Sequence, residues 1–285
     1  MEELPDGVTE KRHQVGAFTV THMRIATAEV ARLLEKEQGR YTTVELARRV
    51  DLLSGEERAL LSHLLAGEIR ASCRRLTGYF PHSDMQIFVA GLGNAELTAD
   101  ALGPMTVRGL VSTRHLSTQM PDLYHAVGCA SLCALAPGVL GQTGIETLEL
   151  LKNVCDVVSP QIVIVIDALA ARSCARLAAT VQITDTGISP GSGVGNHRSS
   201  ISQKTLGAPV LAIGVPTVVN SSTLVWDALA KAGISTCDEG LHRVLREGES
   251  FFVSPKESDL ICARMSSVLS RALGLAFLGE LAEES

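Results

Sequence analysis

Gln161-Ile-Val-Ile-Val-Ile-Asp167 is the stretch that decides the fold. An unbroken β-branched run reads as the central strand of a parallel sheet covered on both faces. In such sheets the carboxyl ends of the strands open onto the ligand crevice. Asp167 stands at that end. A carboxylate there is costly to leave dry and alone, so it is paired, bound to something, or used. The residues that follow, Ala168-Leu-Ala-Ala-Arg172, have helix-forming composition and read as a short helix.

The pattern occurs twice more. Gln86-Ile-Phe-Val-Ala90 runs into Gly91-Leu-Gly-Asn94, with Asp100 one loop later, and Pro209-Val-Leu-Ala-Ile213 runs into Gly214-Val-Pro-Thr217. Three such strand ends on one sheet edge would bring Asp100 and Asp167 together. Close carboxylates push their pKa values apart, leaving one protonated and one ionised, which is the requirement for paired acid/base work. The competing reading of Asp100 is a helix N-cap.

Outward from these strands, helical signals alternate with strands, which argues for an α/β sandwich. Spacing predicts a helix over Thr27–Gln38 stopped by Gly39, and a longer one behind the capping box Ser54-Gly-Glu-Glu57. Further helices are expected near Thr106–Val111, behind a second capping box at Thr143–Glu146, over Ser221–Lys231, and behind Ser254-Pro-Lys-Glu257. The last should dock on the sheet. Ala178–Thr184 alternates as a half-buried strand does, and residues 114–140 read as an irregular surface segment. The expectation is one domain, 1–285: a short leader over 1–25 with an edge strand at Phe18-Thr-Val-Thr, a mainly helical part over 26–80, and an α/β core with a C-terminal helix over 84–285.

Composition narrows the function classes. With 285 residues, 46% hydrophobic and 20% charged, the chain can bury a core and is neither disordered nor collagen-like. A net charge of −6 with no basic patch disfavours nucleic-acid binding. No apolar run approaches the roughly 18 residues of a membrane span, and Met1-Glu-Glu-Leu-Pro-Asp6 lacks an apolar signal core. A cytoplasmic protein with no membrane partner is expected. The seven cysteines include no Cys-x-x-Cys pair, so Cys129 and Cys133 read as packed thiols before a metal half-site.

Several motifs bear on chemistry. Gly91-Leu-Gly-Asn-Ala-Glu96 opens like a dinucleotide fingerprint, but Glu96 occupies the third glycine position, so Gly91 and Gly93 read as turn and packing residues. The loop Asp185–Asn196 holds Gly191, Ser192, Gly193, Gly195 and Asn196, an enforced backbone path that could line a cleft, admit an extended peptide or form an anion nest. His115 and His197 read as solvated loop histidines before ligands. Serine-hydrolase elbow, zincin and P-loop signatures are absent.

Taken together these segments resemble the germination protease family, endopeptidases acting on small acid-soluble spore proteins. The matching pieces are Gly91–Asn94, Thr98-Ala-Asp-Ala-Leu-Gly-Pro104, Thr113-Arg-His115, Pro137–Thr147, Ile166-Asp-Ala-Leu-Ala-Ala-Arg-Ser173, Ile183–Ile188, Pro190-Gly-Ser-Gly-Val-Gly-Asn196 and Ile213–Val219. The resemblance implies a zymogen-forming homotetramer of the forespore and spore core. It implies catalysis by Asp100 and Asp167, with Gly91, Gly93, Asn94 and the 191–196 loop lining the cleft. It also implies an α/β fold related to the hydrogenase-maturation endopeptidases (phosphorylase/hydrolase-like). No cofactor is expected; a divalent metal held by Asp100 and Asp167 is the alternative, and a non-catalytic binding protein on the same fold is another. The leader before Phe18 is short and unlike the family's substrate-like pro-segment, so activity is expected without removal of a long pro-segment. Asn220 stands where the family pattern expects Asp.

Overall fold

The computed structural model describes residues 4–191, 199–234, 239–247 and 251–279. The first part of the chain gives β1 (Val8–Val15), β2 (Phe18–Ile25), α1 (Ala28–Leu33), β3 (Gly39–Leu46) and α2 (Gly55–Thr77). Then come β4 (Gln86–Gly91), α3 (Leu102–Arg108), α4 (Arg114–Gln119), α5 (Pro121–Val127), β5 (Ser131–Leu135), α6 (Leu140–Thr143) and α7 (Thr147–Val158). The remainder is β6 (Ile162–Ala171), β7 (Thr180–Thr184), α8 (Gln203–Leu206), β8 (Val210–Asn220), α9 (Ser221–Lys231), α10 (Glu239–Glu247), β9 (Phe252–Val253) and α11 (Ser258–Phe277).

One sheet takes in all nine of these strands, in the order β1-β2-β3-β7-β8-β6-β4-β5, with β9 on β8. The four strands β8, β6, β4 and β5 are parallel, as the buried runs require. From β7 outward through β3 and β2 to β1 every pairing is antiparallel. The sheet is therefore mixed, a parallel core carrying an antiparallel wing.

Period-two alternation sorts the core onto two faces. Ile162, Ile164 and Ile166 of β6 join Ile87 and Val89 of β4 and Ile213 of β8 beneath α2 and α11. Val163 and Val165 join Phe88 and Ala90 on the other face, under Leu151 and Cys155 of α7. Helix α2 opens with the expected capping box: Ser54 Oγ accepts from Glu57 N–H, and a Glu57 carboxylate oxygen accepts from Ser54 N–H. Its buried stripe is Leu61, Leu65, Ile69 and Cys73.

Several expectations are corrected. Residues 8–25, read as a leader, are a β-hairpin in the sheet, and Phe18 lies on an inner strand because β1 covers it. Within 26–80, β3 is a strand whose inward residues Thr42, Val44 and Leu46 alternate with outward ones. Residues 114–140 hold α4, α5, β5 and the start of α6, and β5 supplies the outer parallel strand. The helix expected after Asp167 is absent: β6 continues to Ala171 because β8 extends alongside it, and ladder pairing overrides helix propensity. Two capping boxes do not form. Glu146 and Glu257 themselves stand at the N-caps of α7 and α11, without side-chain caps. By length and mean hydropathy α11 could cross a membrane; Arg264 and Arg271 interrupt its apolar run, and most of it is core.

Candidate active site

β4 ends at Gly91, where close packing leaves no room for a side chain: a Cβ there would stand 2.2 Å from the carbonyl oxygen of Gly103 in α3. Two residues later Gly93 turns the chain at φ +112°, a conformation that favours glycine, and a Cβ there would meet the Asp100 carbonyl at 2.0 Å. These contacts press the 3-10 turn Thr98–Asp100 onto the end of β4. Asp100 accordingly does not cap α3, whose N-cap is Ala101. Its carboxylate folds back, and Oδ2 accepts a hydrogen bond from Asn94 N–H at 2.7 Å.

Two further ties fix the turn. Thr217, buried on β8, donates its hydroxyl to the Ala99 carbonyl at 2.6 Å. The Cys262 thiol of α11, itself buried, donates to the Thr98 carbonyl at 2.9 Å. Burial first, and then the charges of Asp100 and Asp259, push that thiol up to about 11. Asn94 Oδ1 accepts from Glu96 N–H and from Gln142 Nε2, closing its loop against α6.

Asp167 sits one residue beyond the last β4–β6 pair, Gly91↔Ile166. It continues the Val163–Val165 face of β6 and is 6% exposed, with Oδ1 accepting from Ala168 N–H at 3.0 Å. Asp100 and Asp167 thus come from neighbouring strand ends and line one cleft of about 750 Å³. Leu92, Gly93, Ala168–Arg172, Thr217 and Ile188–Gly191 line it too, and the antiparallel wing forms its far wall through Met23, Tyr41 and Thr43.

Of the sequence candidates, Asp100, Asp167, Gly93 and Gly191 line the cleft. Gly91 and Asn94 act behind it, through packing and through the bond to Asp100. Ser192, Gly193, Gly195, Asn196 and His197 lie outside the described residues. His115 is exposed on α4. Cys129 is buried, Cys133 donates to the Ile87 carbonyl, and burial raises both thiols. Among the described residues no group of three His, Cys, Asp or Glu side chains is placed to hold a metal. Asn220 caps α9, accepting from Ser222 N–H at 2.7 Å, a role for which Asn serves as well as Asp.

The sequence reading missed a cationic wall. Lys36, Arg172 and Arg176 line the cleft where the wing meets the end of β6. The Lys36 ammonium lies 4.7 Å over the Tyr41 ring. Its pKa is lowered by partial desolvation and by the two guanidinium groups. Asp227 of α9 holds the segment between the arginines, accepting from Cys174 N–H at 2.6 Å and Ser173 Oγ at 3.2 Å. Arg172 lies in the quoted Asp-Ala-Leu-Ala-Ala-Arg motif, but nothing local links it to Lys36.

A family model described as germination protease matches residues 2–232. The chain belongs to the germination protease family. A germination protease of Caldanaerobacter subterraneus subsp. tengcongensis is 38% identical, over 99% of this chain and 91% of the relative. One from Clostridium perfringens is 37% identical, over 96% and 89%. One from Bacillus subtilis is 43% identical over a shorter span, 78% of this chain and 59% of the relative. Family membership makes this chain a peptidase of spore germination, and the cleft at the parallel strand ends is its candidate active site. Among solved structures, a [NiFe] hydrogenase maturation protease HycI from Thermococcus kodakarensis KOD1 aligns with 67% of this chain and 93% of its own, at 15% identity and a TM-score of 0.34. That score is too low to bear on the fold.

Proposed function

We propose that this peptidase initiates degradation of small acid-soluble spore proteins, with Asp100 and Asp167 sharing the hydrolytic step. One observation carries the reading: two carboxylates from neighbouring strand ends line the same cleft. One ionised carboxylate takes a proton from water as the water oxygen bonds to the scissile carbonyl carbon. The other, protonated, gives its proton to the amide nitrogen as the carbon–nitrogen bond breaks. The products are a carboxylic acid and an amine, and both aspartates return to their starting states once protons re-equilibrate.

Among the described residues no third His, Cys, Asp or Glu joins the two carboxylates as a metal ligand; the two aspartates would themselves hold a divalent cation if one binds. The hydrolytic step is written through the carboxylates alone. Family likeness supports two further parts of the reading, a homotetrameric assembly and action in the spore core.

The test is incubation of the purified chain with a small acid-soluble spore protein, with and without a chelator, followed by mass spectrometry of the fragments. Discrete cleavage that survives chelation supports the carboxylate pair. Loss of cleavage on chelation with recovery on adding a divalent cation would replace it with metal-assisted hydrolysis. An intact spore protein in both arms would sink the substrate assignment.

A further inference from the structure

β4 and β6 do not end together. Their pairing stops at Gly91↔Ile166, after which the β4 chain turns away at Gly93. β5 stops level with β4, at Ala90↔Leu135. β6 runs on to Ala171, held on its other side by β8 through Ala171↔Val219. Among the described residues no strand pairs with Ala168–Ala171 on the side that β4 has left. The parallel sheet has a step in it, and the step is the floor of the catalytic cleft.

The polarity of that open edge is legible. The Ile166 carbonyl accepts from Leu92 N–H at 2.8 Å, so the backbone of Ile166 faces β4. Backbone groups of a strand alternate sides, so Ala168 faces the same way. Its N–H is held by Asp167 Oδ1. A carboxylate oxygen thus stands where the carbonyl of an added strand would bond. Beyond it, Ala168, Leu169 and Ala170 are half-buried and line the cleft, and the alanines are too small to block a neighbouring main chain.

We propose that the edge Ala168–Ala171 receives the polypeptide to be cut as an added β-strand, main chain against main chain, with the scissile bond at the Asp167 end. This deepens the function proposed above and rests on it. The occupant is a substrate segment because the edge runs without a break into the carboxylate pair. The four residues span ~13 Å, room for about four substrate residues in extended form. Affinity in this mode comes from main-chain hydrogen bonds, with alternate side chains read by pockets. A cleavable region must therefore be unpaired before it binds, which selects loosely structured proteins. The register shift between Leu169 and Ala170 turns the edge, so strict alternation belongs to the positions nearest the cut.

The test uses the full chain and a synthetic peptide spanning a cleavage site mapped in the intact spore protein. Analogues each carry one backbone N-methyl group, which removes a donor and obstructs strand pairing but keeps every side chain and charge. Strand addition expects kcat/KM to fall about tenfold at alternate positions near the cut, with little change at the positions between, the scale of one hydrogen bond. Cleavage of all analogues alike, or losses without alternation, would overturn strand addition and leave the carboxylate pair standing. Failure to cut both the unmodified peptide and the intact spore protein would overturn the substrate reading and this one together.

Discussion

The two halves of the sheet are built on different terms. In the parallel half, Ile162–Ile166 of β6 are 0% exposed, with helices on both faces. In the antiparallel wing, the interior residues of β1 are exposed, and β2 and β3 bury one face through Phe18, Val20 and Val44, while on the other face Ile25 packs in a small cluster with Val30 and Ala31 of α1. The first half is held by burial and ends in the crevice proposed above to carry the chemistry. The second is held by its ladder and by thinner burial, and it contributes a wall, with Tyr41 and the nearby Lys36 lining the cleft. Substitutions in the core should therefore change fold or chemistry outright, whereas those on the wall should change how well substrate is held.

The largest expected effect is Asp167→Asn. The amide keeps the shape but cannot act as a base, and kcat/KM should fall by about a thousandfold or more. Circular dichroism and melting temperature should stay close to wild type. Near wild-type turnover would remove the parallel strand ends from the chemistry.

Next comes a paired stability measurement. Ile164→Ala in β6 empties a fully buried site and should cost about 2–5 kcal/mol in chemical denaturation. Thr9→Ala on exposed β1 should cost less than about 0.5 kcal/mol. Equal costs would break the contrast between the halves.

A pH series sharpens it. Cys155 and Cys262 pack on the parallel half, and burial raises each thiol to about 11 against an ordinary 9.0. Because the folded value is the higher, their contribution is fully present below pH 9 and is lost as pH rises through about 11. Stability should fall over that window by about 2 kcal/mol per thiol. In Cys155→Ala the decline should be shallower, whatever the starting stability. An unchanged slope would show that neither burial nor titration of this thiol matters.

The smallest effect belongs to the wall. Arg176→Glu should raise KM for a peptide substrate with acidic residues flanking the cut about tenfold at low salt, with kcat nearly unchanged and the difference fading as salt screens it. A matching loss of kcat would place Arg176 nearer the reacting bond than the geometry does.

The same contrast explains what was legible in the sequence. The buried runs at 86–90, 161–166 and 209–213 announce themselves, because a strand covered on both faces has little choice of residue. The rule that such strands open at their carboxyl ends was enough to single out Asp167 and, through its neighbour, Asp100. Ala168–Ala171 was misread because its composition favours a helix, and only the partner strand β8 makes it extended. β1, with Glu10, Lys11, Arg12 and His13 in succession, shows no alternation to find. β3 did alternate at Thr42, Val44 and Leu46, but helical signals on both sides obscured it. The cationic wall and the Thr217 tie were out of reach, since each joins residues brought together only by sheet order.

The thiol beneath the 98–100 turn has a practical consequence. Cys262 is 1% exposed, and burial first, then the nearby charges of Asp100 and Asp259, keeps it protonated. An alkylating reagent reaches it only when α11 and the 98–100 turn part company. Its labelling rate therefore works as a clock for the opening of the candidate active site. Compared with the rate for a cysteine on the opposite face, such as Cys155, it would tell whether the cleft end of the molecule breathes by itself or only when the whole sheet comes apart.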